Sequence, residues 1–306
     1  MKKILITGGA GFVGTKLVLL LLEKGYYVKV LDNLIHNQIV FSEIKDARFE
    51  FIKGDITKEE DVKNALKDID LIVHLAAIVG APLCDKNPEL AIKTNINGVE
   101  IINRLRVNIP IIFASTGSVY GKLNELCTEE SPVNPLSLYG KTKYIGEQII
   151  KKSGNYIIFR PATAFGVSPK MRTDLLINDL LLTALKTKKL IIFEGNAKRT
   201  FIHVSDFAMA IVYAIENFEK IKNKIYNLGN EKMNCLKKDI AKIIAKYTEC
   251  EIEISRSGED PDKRDYEVSY EKIRETGFNT CMSIEDGIRE LIEYYYTLNK
   301  DLISNK

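Results

Sequence analysis

The sequence predicts an α/β protein whose main part is a doubly wound parallel sheet, with a smaller α/β domain beside it. Short apolar runs typical of buried strands recur along the chain, and most neighbouring runs are separated by segments long enough for a helix. A length of 306 residues allows one large domain or two modest ones, with a substantial core. These observations together favour a parallel sheet covered by helices on both faces.

The expected strands are short runs rich in Ile, Leu, Val, Phe and Tyr. They cover residues 4–6, 28–31, 49–52, 71–73, 109–113, 156–159 and 225–228. Helices are expected over residues 11–22, 58–67, 88–106, 136–152, 174–187, 205–216, 236–247 and 284–298. The first helix is the clearest, because Gly25 follows its apolar run where glycine commonly ends a helix. After Gly166 the pattern is less regular, with helices, short β segments and a polar loop over 255–265.

Composition narrows the possible partners and the cellular location. Hydrophobic residues make up 45% of the chain and charged residues 28%, which is typical of a globular protein and not of a disordered or coiled-coil one. The net charge of +3 is too small for a surface that tracks nucleic-acid phosphates. The longest apolar run, residues 17–22, is too short to span a membrane. Five Cys without paired C-x-x-C spacing favour a reducing compartment, so a cytoplasmic protein is expected.

A glycine-rich turn directly follows the first strand and opens the first helix. Residues 7–14 read Thr-Gly-Gly-Ala-Gly-Phe-Val-Gly. In this spacing Gly8 permits a tight turn, Gly11 lets the backbone approach a pyrophosphate, and Gly14 lets the helix pack closely on the strand. The helix N-terminus attracts the phosphate charge. The first candidates for a dinucleotide site are therefore Gly8, Gly11, Phe12, Val13 and Gly14.

Acidic residues at the ends of the next two strands fit the same ligand. Asp32 closes the second strand 18 residues beyond Gly14, where a carboxylate binds the adenine ribose hydroxyls and repels a 2′-phosphate. This position predicts NAD as the cofactor in preference to NADP. Asn33 beside it, and Asp55 and Ile56 after the third strand, are placed at the adenine end of the ligand. The alternative is a glycine-rich turn with an unrelated surface aspartate.

The fourth strand ends in His74-Leu-Ala-Ala, whose Ala76 and Ala77 present small side chains where the backbone must approach phosphates. For His74 itself a structural role is expected, because it lies at an apolar strand end without a partner at metal-ligand spacing. His36 and His203 also lack that spacing, so no metal is expected.

A candidate catalytic pair lies on the helix expected over 136–152. Tyr139 and Lys143 are four residues apart and therefore share one face of that helix. A nearby ammonium and an oxidised nicotinamide both favour the phenolate form of a tyrosine. Thr116, in a hydroxyl-rich turn after the fifth strand, is placed at the carboxyl edge of the sheet, where an α/β ligand crevice opens. Thr116 would hold a sugar hydroxyl while Tyr139 removes its proton and the adjacent C–H delivers hydride to the nicotinamide. The alternative is an ordinary Ser/Thr-rich turn.

Several motifs together carry a resemblance to a known family. They are Thr-Gly-x-x-Gly-x-x-Gly, Asp32, His-Leu-Ala-Ala, Asn95 in Asn-Ile-Asn-Gly, Ser-Thr-x-x-Val-Tyr-Gly, Tyr-x-x-x-Lys and Arg199-Thr-Phe-Ile-His-Val-Ser-Asp206. In this order the chain resembles an extended short-chain dehydrogenase/reductase of the NAD-dependent epimerase/dehydratase family over essentially its whole length. The resemblance implies an enzyme that acts on nucleoside-diphosphate sugars, commonly through a 4-keto intermediate on tightly held NAD, with Thr116, Tyr139 and Lys143 in the catalytic places.

The resemblance also implies an organisation. Residues 1–165, joined by about 200–229, are expected to form a Rossmann-type NAD-binding domain, and 166–199 with 230–306 a substrate-binding domain. A homodimer is expected to pair the helices predicted over 88–106 and 136–152. Three longer stretches, beginning at Ala76, Phe165 and Gly258, resemble the bacterial GDP-heptose 4-oxidoreductases of capsule polysaccharide biosynthesis.

Departures from the family pattern reduce the number of reactions that the resemblance implies. In the 4,6-dehydratase and uronic-acid decarboxylase branches acidic residues follow the catalytic Thr, whereas Gly117 and Ser118 stand there in this chain. Elimination of water then lacks its expected acid and base, which disfavours a dehydratase. Thr163 replaces the usual Asn after the Arg-Pro pair, at a position that often contacts substrate, and this departs from the pattern of a standard UDP-galactose 4-epimerase.

Arginines in polar segments are the candidates for the substrate, because fork-shaped guanidinium groups match the two phosphates of a nucleotide sugar. Arg199 and Arg264 are the expected phosphate ligands, Asp262 is placed on a ribose hydroxyl, and Arg172 lies in a segment expected near the sugar. The alternative for the arginines is surface pairing with a neighbour such as Asp206 or Asp265.

Two functions of different classes remain open at this point. The first is NAD-dependent oxidoreduction at C4 of a nucleoside-diphosphate sugar, which ends in epimerisation or in a released 4-keto sugar. The second is an NAD(H)-sensing binding protein that has the nucleotide fold without turnover.

Overall fold

A seven-stranded parallel sheet forms the centre of the protein. The computed structural model describes residues 2–36, 40–255 and 264–298. Within them the strands are, in chain order, β1 (Lys3–Thr7), β2 (Tyr27–Asp32), β3 (Phe49–Lys53), β4 (Leu71–His74), β5 (Ile111–Ala114), β6 (Lys122–Cys127), β7 (Tyr156–Pro161), β8 (Thr163–Phe165), β9 (Lys189–Phe193), β10 (Lys198–His203), β11 (Lys224–Leu228), β12 (Asn234–Leu236), β13 (Glu251–Ser255) and β14 (Asp265–Val268). The central sheet has the order β11-β7-β5-β4-β1-β2-β3.

The helices of the described residues include both long covering helices and short turns between strands. They are α1 (Phe12–Glu23), α2 (Glu59–Ala65), α3 (Ala81–Lys86), α4 (Pro88–Ile92), α5 (Gly98–Leu105), α6 (Leu138–Lys152), α7 (Leu176–Thr187), α8 (Val204–Glu216), α9 (Phe218–Ile221), α10 (Lys237–Thr248), α11 (Glu271–Arg274) and α12 (Ile284–Leu298).

The sheet forms because its strands are apolar on both faces. Ile4, Ile6 and Val30 are fully buried, and Ile6 pairs in parallel register with Val30 on one side and with Val73 on the other. Strands buried on both faces are the mark of a sheet covered by helices. Since all seven strands are parallel, their carboxyl ends meet at one edge, where ligands bind in open α/β sheets.

Helices cover both faces of the central sheet. On one face α1 packs against α8 and contributes Leu17 and Leu21 to a buried cluster that also holds Ile211. On the other face α2, α5 and α6 contribute Val62, Val99 and Ile150 to a second cluster. Full burial of such a side chain stabilises the fold by roughly 1.5–3 kcal/mol. The doubly wound α/β class predicted from the sequence is confirmed.

A third core lies among the later elements. Apolar side chains of α7, α10 and α12 pack together around Phe165 and Phe201. Three small sheets accompany them, with strand pairings β12-β10-β8, β13-β9 and β14-β6. The elements of this core come from residues after Gly166 apart from the neighbouring β8. The boundaries of a separate substrate-binding domain stay a prediction.

One predicted helix is interrupted. Where the sequence predicts a continuous helix over 88–106, the structure has α4 and α5 joined by a π-helical turn, Lys93–Asn97. The turn places the side chain of Asn95 inward, where it is 1% exposed and hydrogen-bonded to Ile78 and Thr142. Such turns commonly occur at functional sites, and hydrophobic periodicity alone carries no signal for them.

Candidate active site

The glycine turn brings two loops into direct contact at the carboxyl edge of the sheet. Gly8 has a φ of +71°, and a Cβ placed on it would lie 2.5 Å from the backbone nitrogen of Ala76. A Cβ on Gly14 would lie 2.6 Å from the carbonyl oxygen of Gly8. No larger residue fits either position without movement of the backbone. The structure thus places Gly8, Gly14 and Ala76 in one close-packed turn, as a bound pyrophosphate requires.

The N-terminus of α1 faces this turn. Its N-cap residue is Gly11, and no side chain caps the helix. The first backbone N–H groups of a helix have no partner within the helix, so this end can receive a phosphate. Phe12 is buried beneath the turn and Val13 is half-buried. These features fit the dinucleotide predicted from the sequence.

Asp32 connects the end of β2 to the glycine turn. Its carboxylate accepts a hydrogen bond from the backbone N–H of Ala10 at 3.0 Å and from that of Leu34 at 2.8 Å. Burial raises the pKa of the Asp32 carboxyl, although these two hydrogen bonds oppose the rise. Each carboxylate oxygen keeps acceptor capacity beyond these bonds, so the side chain can hold the turn and a ribose hydroxyl together.

The remaining predicted adenine-end residues lie beside Asp32. The amide of Asn33 donates to Asp55 at 3.4 Å, and the other carboxylate oxygen of Asp55 accepts from the backbone N–H of Thr57 at 2.8 Å. Burial acts to raise the pKa of Asp55, but these hydrogen bonds outweigh it and lower the pKa. Ile56 is buried and packs on the start of α5, where a Cβ on Gly98 would meet its side chain.

His74 has the structural surroundings that the sequence predicts. The ring is fully buried, its Nδ1 lies 2.6 Å from the Thr7 hydroxyl, and it stacks on Phe113 with centroids 5.6 Å apart. Burial lowers the pKa of His74 to about 3, with a smaller contribution from the charge of Lys143. The imidazole is therefore neutral in the folded protein and joins β1 to β4 beneath the glycine turn.

Thr116, Tyr139 and Lys143 come together at the carboxyl edge of the sheet. Thr116 follows β5, and its hydroxyl donates to the Ser118 hydroxyl and accepts from the Ser118 N–H, both at 3.1 Å. The Thr116 side chain also acts to lower the pKa of the Tyr139 phenol. Tyr139 and Lys143 lie on adjacent turns of α6, which begins after the N-cap Ser137. The Lys143 ammonium lies 4.3 Å from the centre of the Phe113 ring on β5. The three predicted catalytic residues thus share one site.

Burial dominates the protonation of both ionisable groups in this site. It raises the pKa of Tyr139 to about 12, although Thr116 and the charges of Arg264 and Arg172 lower it in part. It lowers the pKa of Lys143 to about 7, against a rise from Glu147. The sequence predicts a phenolate favoured by the ammonium. In the protein alone the cost of burying a charge is the larger effect, so further positive charge is needed to form the phenolate.

The predicted substrate residues are found in two places. Arg264 donates to the Ser118 hydroxyl at 3.1 Å, next to Thr116, and Arg199 is 3% exposed and donates to the backbone carbonyl of Arg264. Thr163, at the start of β8, is half-buried. Arg172 makes a two-pronged ion pair with Asp174 at 2.6 and 2.7 Å. Asp262 lies outside the described residues.

The acids suggested as surface partners of Arg199 have other roles. Asp206 accepts hydrogen bonds from the backbone N–H groups of Cys281 and Met282, and Asp265 accepts from that of Lys198. Arg199 is buried, and its guanidinium donates to the backbone carbonyls of Lys198 and Arg264.

Sequence reasoning missed several residues of this site. Tyr266 on β14 is 4% exposed, and its hydroxyl lies 3.0 Å from the position that a Cβ on Gly117 would take. Ser168 donates to the backbone carbonyl of Phe12 at 2.6 Å and so connects the segment after β8 to α1. Glu147, one turn beyond Lys143 on α6, is completely buried. Its only sequence signal is an acid at helical spacing from the Tyr–Lys pair.

The described residues hold no group of three His, Cys, Asp or Glu side chains arranged to bind a metal ion. None of their helices combines the length and the apolar character needed to cross a membrane.

The sheet edge combines the glycine turn, the Asp32 carboxylate at the end of β2, and the Tyr139 phenol in the same site as Thr116. This combination is typical of a dinucleotide-dependent α/β enzyme. The chain belongs to the NAD dependent epimerase/dehydratase family, whose sequence profile matches residues 4–229. It is an extended short-chain dehydrogenase/reductase, an enzyme that uses NAD. The family resemblance inferred from the motifs and the predicted cofactor are both confirmed.

Individual relatives cover almost the whole chain. A protein of Methanocaldococcus jannaschii named "Putative UDP-glucose 4-epimerase" is 32% identical over 97% of this chain and 99% of its own length. The crystal structure of UDP-glucuronic acid 4-epimerase from Bacillus cereus, in complex with UDP-glucuronic acid and NAD, is 28% identical with a TM-score of 0.85, covering 97% of this chain and 99% of that one. The dTDP-glucose 4,6-dehydratase of Bacillus anthracis, in complex with NAD, is 26% identical with a TM-score of 0.83, covering 98% of each chain.

Proposed function

We propose that the protein catalyses NAD-dependent oxidation and reduction at C4 of a nucleoside-diphosphate sugar through a 4-keto sugar. The outcome is either 4-epimerisation or release of the 4-keto product. The observation that carries this proposal is that Thr116, Tyr139 and Lys143 share one site at the sheet edge, where Thr116 lowers the pKa of the Tyr139 phenol and Lys143 lies one turn further along α6. The glycine turn that fits NAD lies at the same edge. The names of the relatives, which include two 4-epimerases, support the substrate class.

Thr116, Tyr139 and Lys143 each have a distinct role in this reaction. Thr116 binds the oxygen on C4 of the sugar, and Tyr139 takes the proton of that hydroxyl as general base. Lys143 contributes positive charge that favours the phenolate of Tyr139. When bound, NAD supplies the hydride acceptor and a further positive charge beside the phenol. For the return step of an epimerase, Tyr139 gives its proton back to the oxygen after the sugar has presented its other face.

The cofactor is held by residues already placed at the sheet edge. Gly8, Gly11, Phe12, Val13 and Gly14 form the turn and helix start for the pyrophosphate, and Asp32 binds the adenine ribose hydroxyls. Asn33, Asp55 and Ile56 border the adenine, and Ala76 and Ala77 leave room for the backbone to approach. Tyr139 and Lys143 complete the nicotinamide end.

The groups after Thr116 favour redox chemistry at C4 over elimination. Elimination of water needs an acid and a base beside C5 and C6, and this chain has Gly117 and Ser118 in those places. The hydroxyl of Tyr266 occupies the space beside Gly117, and the guanidinium of Arg264 is hydrogen-bonded to Ser118. None of these four residues carries a carboxylate, so we do not favour a dehydratase even though one relative has that name.

For the substrate we propose contacts with Thr163, Arg172, Arg199, Asp262 and Arg264, with the two buried or half-buried arginines Arg199 and Arg264 nearest the diphosphate. A GDP-heptose is a candidate within this class because of the three resembling stretches. We further propose a cytoplasmic enzyme.

A homodimer through α4, α5 and α6 is also part of the proposal. Leu90 and Ile92 on α4 and Ile145 on α6 are 37%, 43% and 42% exposed. Apolar side chains on neighbouring helices favour burial against a second copy. Sedimentation of the native chain and of Ile145→Lys tests this: a dimer that the variant converts to a monomer supports it, and a monomeric native chain contradicts it.

The function is tested with the purified protein, NAD and a panel of UDP-, GDP-, dTDP- and CDP-sugars. NADH absorbance and product stereochemistry are followed, and mass spectrometry identifies any nucleotide that co-purifies. We expect conversion at C4 of at least one sugar. An absence of both conversion and NADH with every sugar would instead identify an NAD(H)-binding sensor, and a 4-keto-6-deoxy product would identify a dehydratase.

A further inference from the structure

A buried ion pair lies directly behind the proposed catalytic residues. Glu147 on α6 is fully buried and Arg160 on β7 is 3% exposed. Arg160 donates to both carboxylate oxygens of Glu147, from Nη2 at 2.7 Å and from Nε at 3.0 Å. The pair is therefore two-pronged, which fixes its orientation as well as its distance.

Glu147 has a third partner in the hydroxyl turn after β5. The Ser115 hydroxyl donates to its Oε1 at 2.5 Å, and the backbone N–H of Ser115 donates to Phe159 on β7 at 2.7 Å. Ser115 is the residue immediately before Thr116. One carboxylate thus connects the turn that carries Thr116 to the helix that carries Tyr139 and Lys143.

Arg160 of the ion pair is held in turn by Tyr120, which is hydrogen-bonded to Asn227. The second guanidinium arm of Arg160 donates to the Tyr120 hydroxyl at 3.1 Å, and Tyr120 donates to the side chain of Asn227 on β11 at 2.6 Å. The guanidinium also lies 5.1 Å from the centre of the Tyr120 ring. The position of Glu147 is therefore defined by the central sheet, independently of any ligand.

Stability alone is a weak reason for such a pair. Burying two charges costs free energy that their attraction often only balances, and apolar residues of similar volume frequently stabilise a fold at least as well. What the pair adds is a fixed geometry, since two charges and three hydrogen bonds permit few arrangements.

We propose that Glu147 is a positioning residue, which holds the Ser115–Thr116 turn against α6 so that the Thr116 hydroxyl meets the Tyr139 phenol. This inference rests on the proposed function, because it takes Thr116 and Tyr139 as the residues that contact the sugar. Glu147 touches neither sugar nor cofactor in this proposal, and it acts through Ser115 and through the register of α6.

Two variants separate positioning from stability. Ser115→Ala removes the hydrogen bond to Glu147 and leaves the ion pair, and we expect kcat at C4 to fall about tenfold, which corresponds to roughly 1.4 kcal/mol. The KM for the sugar and the Kd for NAD should stay within about twofold, because the lost contact serves the transition state. The double variant Glu147→Met, Arg160→Met replaces the pair by apolar side chains, folds without an unpaired buried charge, and should show at least as large a fall in kcat.

A pH profile distinguishes the two variants from each other. The ionisable groups near Lys143 are Tyr139 and Glu147 on its own helix, Cys84 on α3 and His74 on β4. The Glu147 charge raises the pKa of Lys143, whereas the Arg160 charge that is lost with it acts in the opposite sense. Because Glu147 is the charge of the pair that affects the pKa of Lys143, the alkaline limb of kcat should move to lower pH in the double variant. In Ser115→Ala the charge remains and the limb should not move.

Tyr120→Phe is the matched control, because it removes a hydrogen bond from the same network behind Arg160 and leaves Ser115 and Glu147 joined. It should lower the midpoint of unfolding without changing kcat. Wild-type kcat and pH profile in both test variants, or a fall in kcat equal to that of Tyr120→Phe, would overturn the positioning role. Full activity of Tyr139→Phe in the same assay would instead overturn the proposed base, so the two failures are distinguishable.

Discussion

The side-chain amide of Asn95 is hydrogen-bonded to both the backbone N–H and the backbone carbonyl of Ile78. Its oxygen accepts from the Ile78 N–H at 2.8 Å, and its nitrogen donates to the Ile78 carbonyl at 3.0 Å and to the Thr142 hydroxyl at 3.1 Å. Asn95 lies in the π-helical turn between α4 and α5, and Thr142 precedes Lys143 on α6. The loop after β4 and the helix carrying the Tyr–Lys pair are thus joined by one residue.

Asn95→Ala is expected to lower both stability and turnover. The change leaves the buried N–H of Ile78 without its partner, at a cost of roughly 1–3 kcal/mol. The Ile78 carbonyl keeps only the weaker donor Cys84 Sγ, at 3.3 Å. Because the loop and α6 border the site, the conversion of a sugar at C4 should fall as well. Urea unfolding and steady-state turnover measure the two effects.

The control for Asn95 is Asn103→Ala on α5. Asn103 donates to Ile149 at 3.1 Å and to Ser153 at 2.7 Å, at the far end of α6 from Tyr139. This variant should lose stability with unchanged turnover. If both Asn variants reduced turnover equally, the connection to the loop after β4 would not be the cause.

Gly8→Ala should prevent NAD binding, and Gly154→Ala should not. Both glycines have positive φ, +71° and +64°. The new Cβ meets the backbone of Ala76 at 2.5 Å in the first case and has no neighbour within 4 Å in the second. The left-handed backbone costs roughly 1–2 kcal/mol for an alanine at either position. Gly8→Ala adds the steric clash.

Calorimetric titration with NAD and thermal unfolding of both glycine variants test this. Equal loss of stability and equal NAD affinity in the two proteins would contradict the close contact between the glycine turn and the loop after β4.

Tyr139→Phe is expected to lower turnover by a factor on the order of 10²–10⁴, the usual range for loss of a proton-transfer group. NAD affinity should be nearly unchanged, because the aromatic ring remains in place. Tyr144→Phe is the matched control on the same helix and should keep wild-type turnover. Retention of full activity by Tyr139→Phe would mean that another group removes the proton.

His74 should make the folded protein sensitive to mild acid. Burial lowers its pKa to about 3, whereas the unfolded chain has the ordinary value of 6.5. Between these values the unfolded chain binds the additional proton, so stability falls as the pH drops below about 6.5. From pH 6.5 to 5 the loss from this one group is about 2 kcal/mol.

The measurement for His74 is urea unfolding at pH 6.5 and at pH 5. His74→Asn removes the titrating ring, so its free energy of unfolding should decline less between the two pH values than that of the native chain. His36→Asn, at an exposed position, should keep the native decline. The same decline in all three proteins would exclude His74 as the source.

The sequence predicted a feature of the site well where all residues of that feature lie in one strand end, turn or helix. The glycine turn and Asp32 lie at strand ends and the Tyr–Lys pair lies on a single helical face, so local spacing predicted their arrangement. The catalytic role proposed for the Tyr–Lys pair also rests on the family resemblance. Most helices began and ended within two residues of the predicted positions, as α1 and α7 show. Gly25, with a φ of +86°, ends α1 as expected.

Contacts between segments that are far apart in the sequence could not be predicted from local spacing. The π-helical turn exists because Asn95 reaches Ile78 and Thr142, and Tyr266 reaches Gly117 from β14, almost 150 residues further along the chain. The short helix α3 and the strand β6 form against other elements and carry little periodicity of their own.

By itself the sequence determined the parallel sheet and the cofactor turn, because hydrophobic period and glycine spacing act over short distances. The resemblance to a family identified the proposed proton-transfer residues. Only the tertiary structure decided how those residues are held. Glu147, Arg160 and Ser115 lie in three separate segments of the chain and meet only in the folded protein. Burial in the fold likewise raises the pKa of Tyr139 and lowers that of Lys143. Desolvation and long-range hydrogen bonds depend on what surrounds a group in space, which the order of residues along the chain does not state.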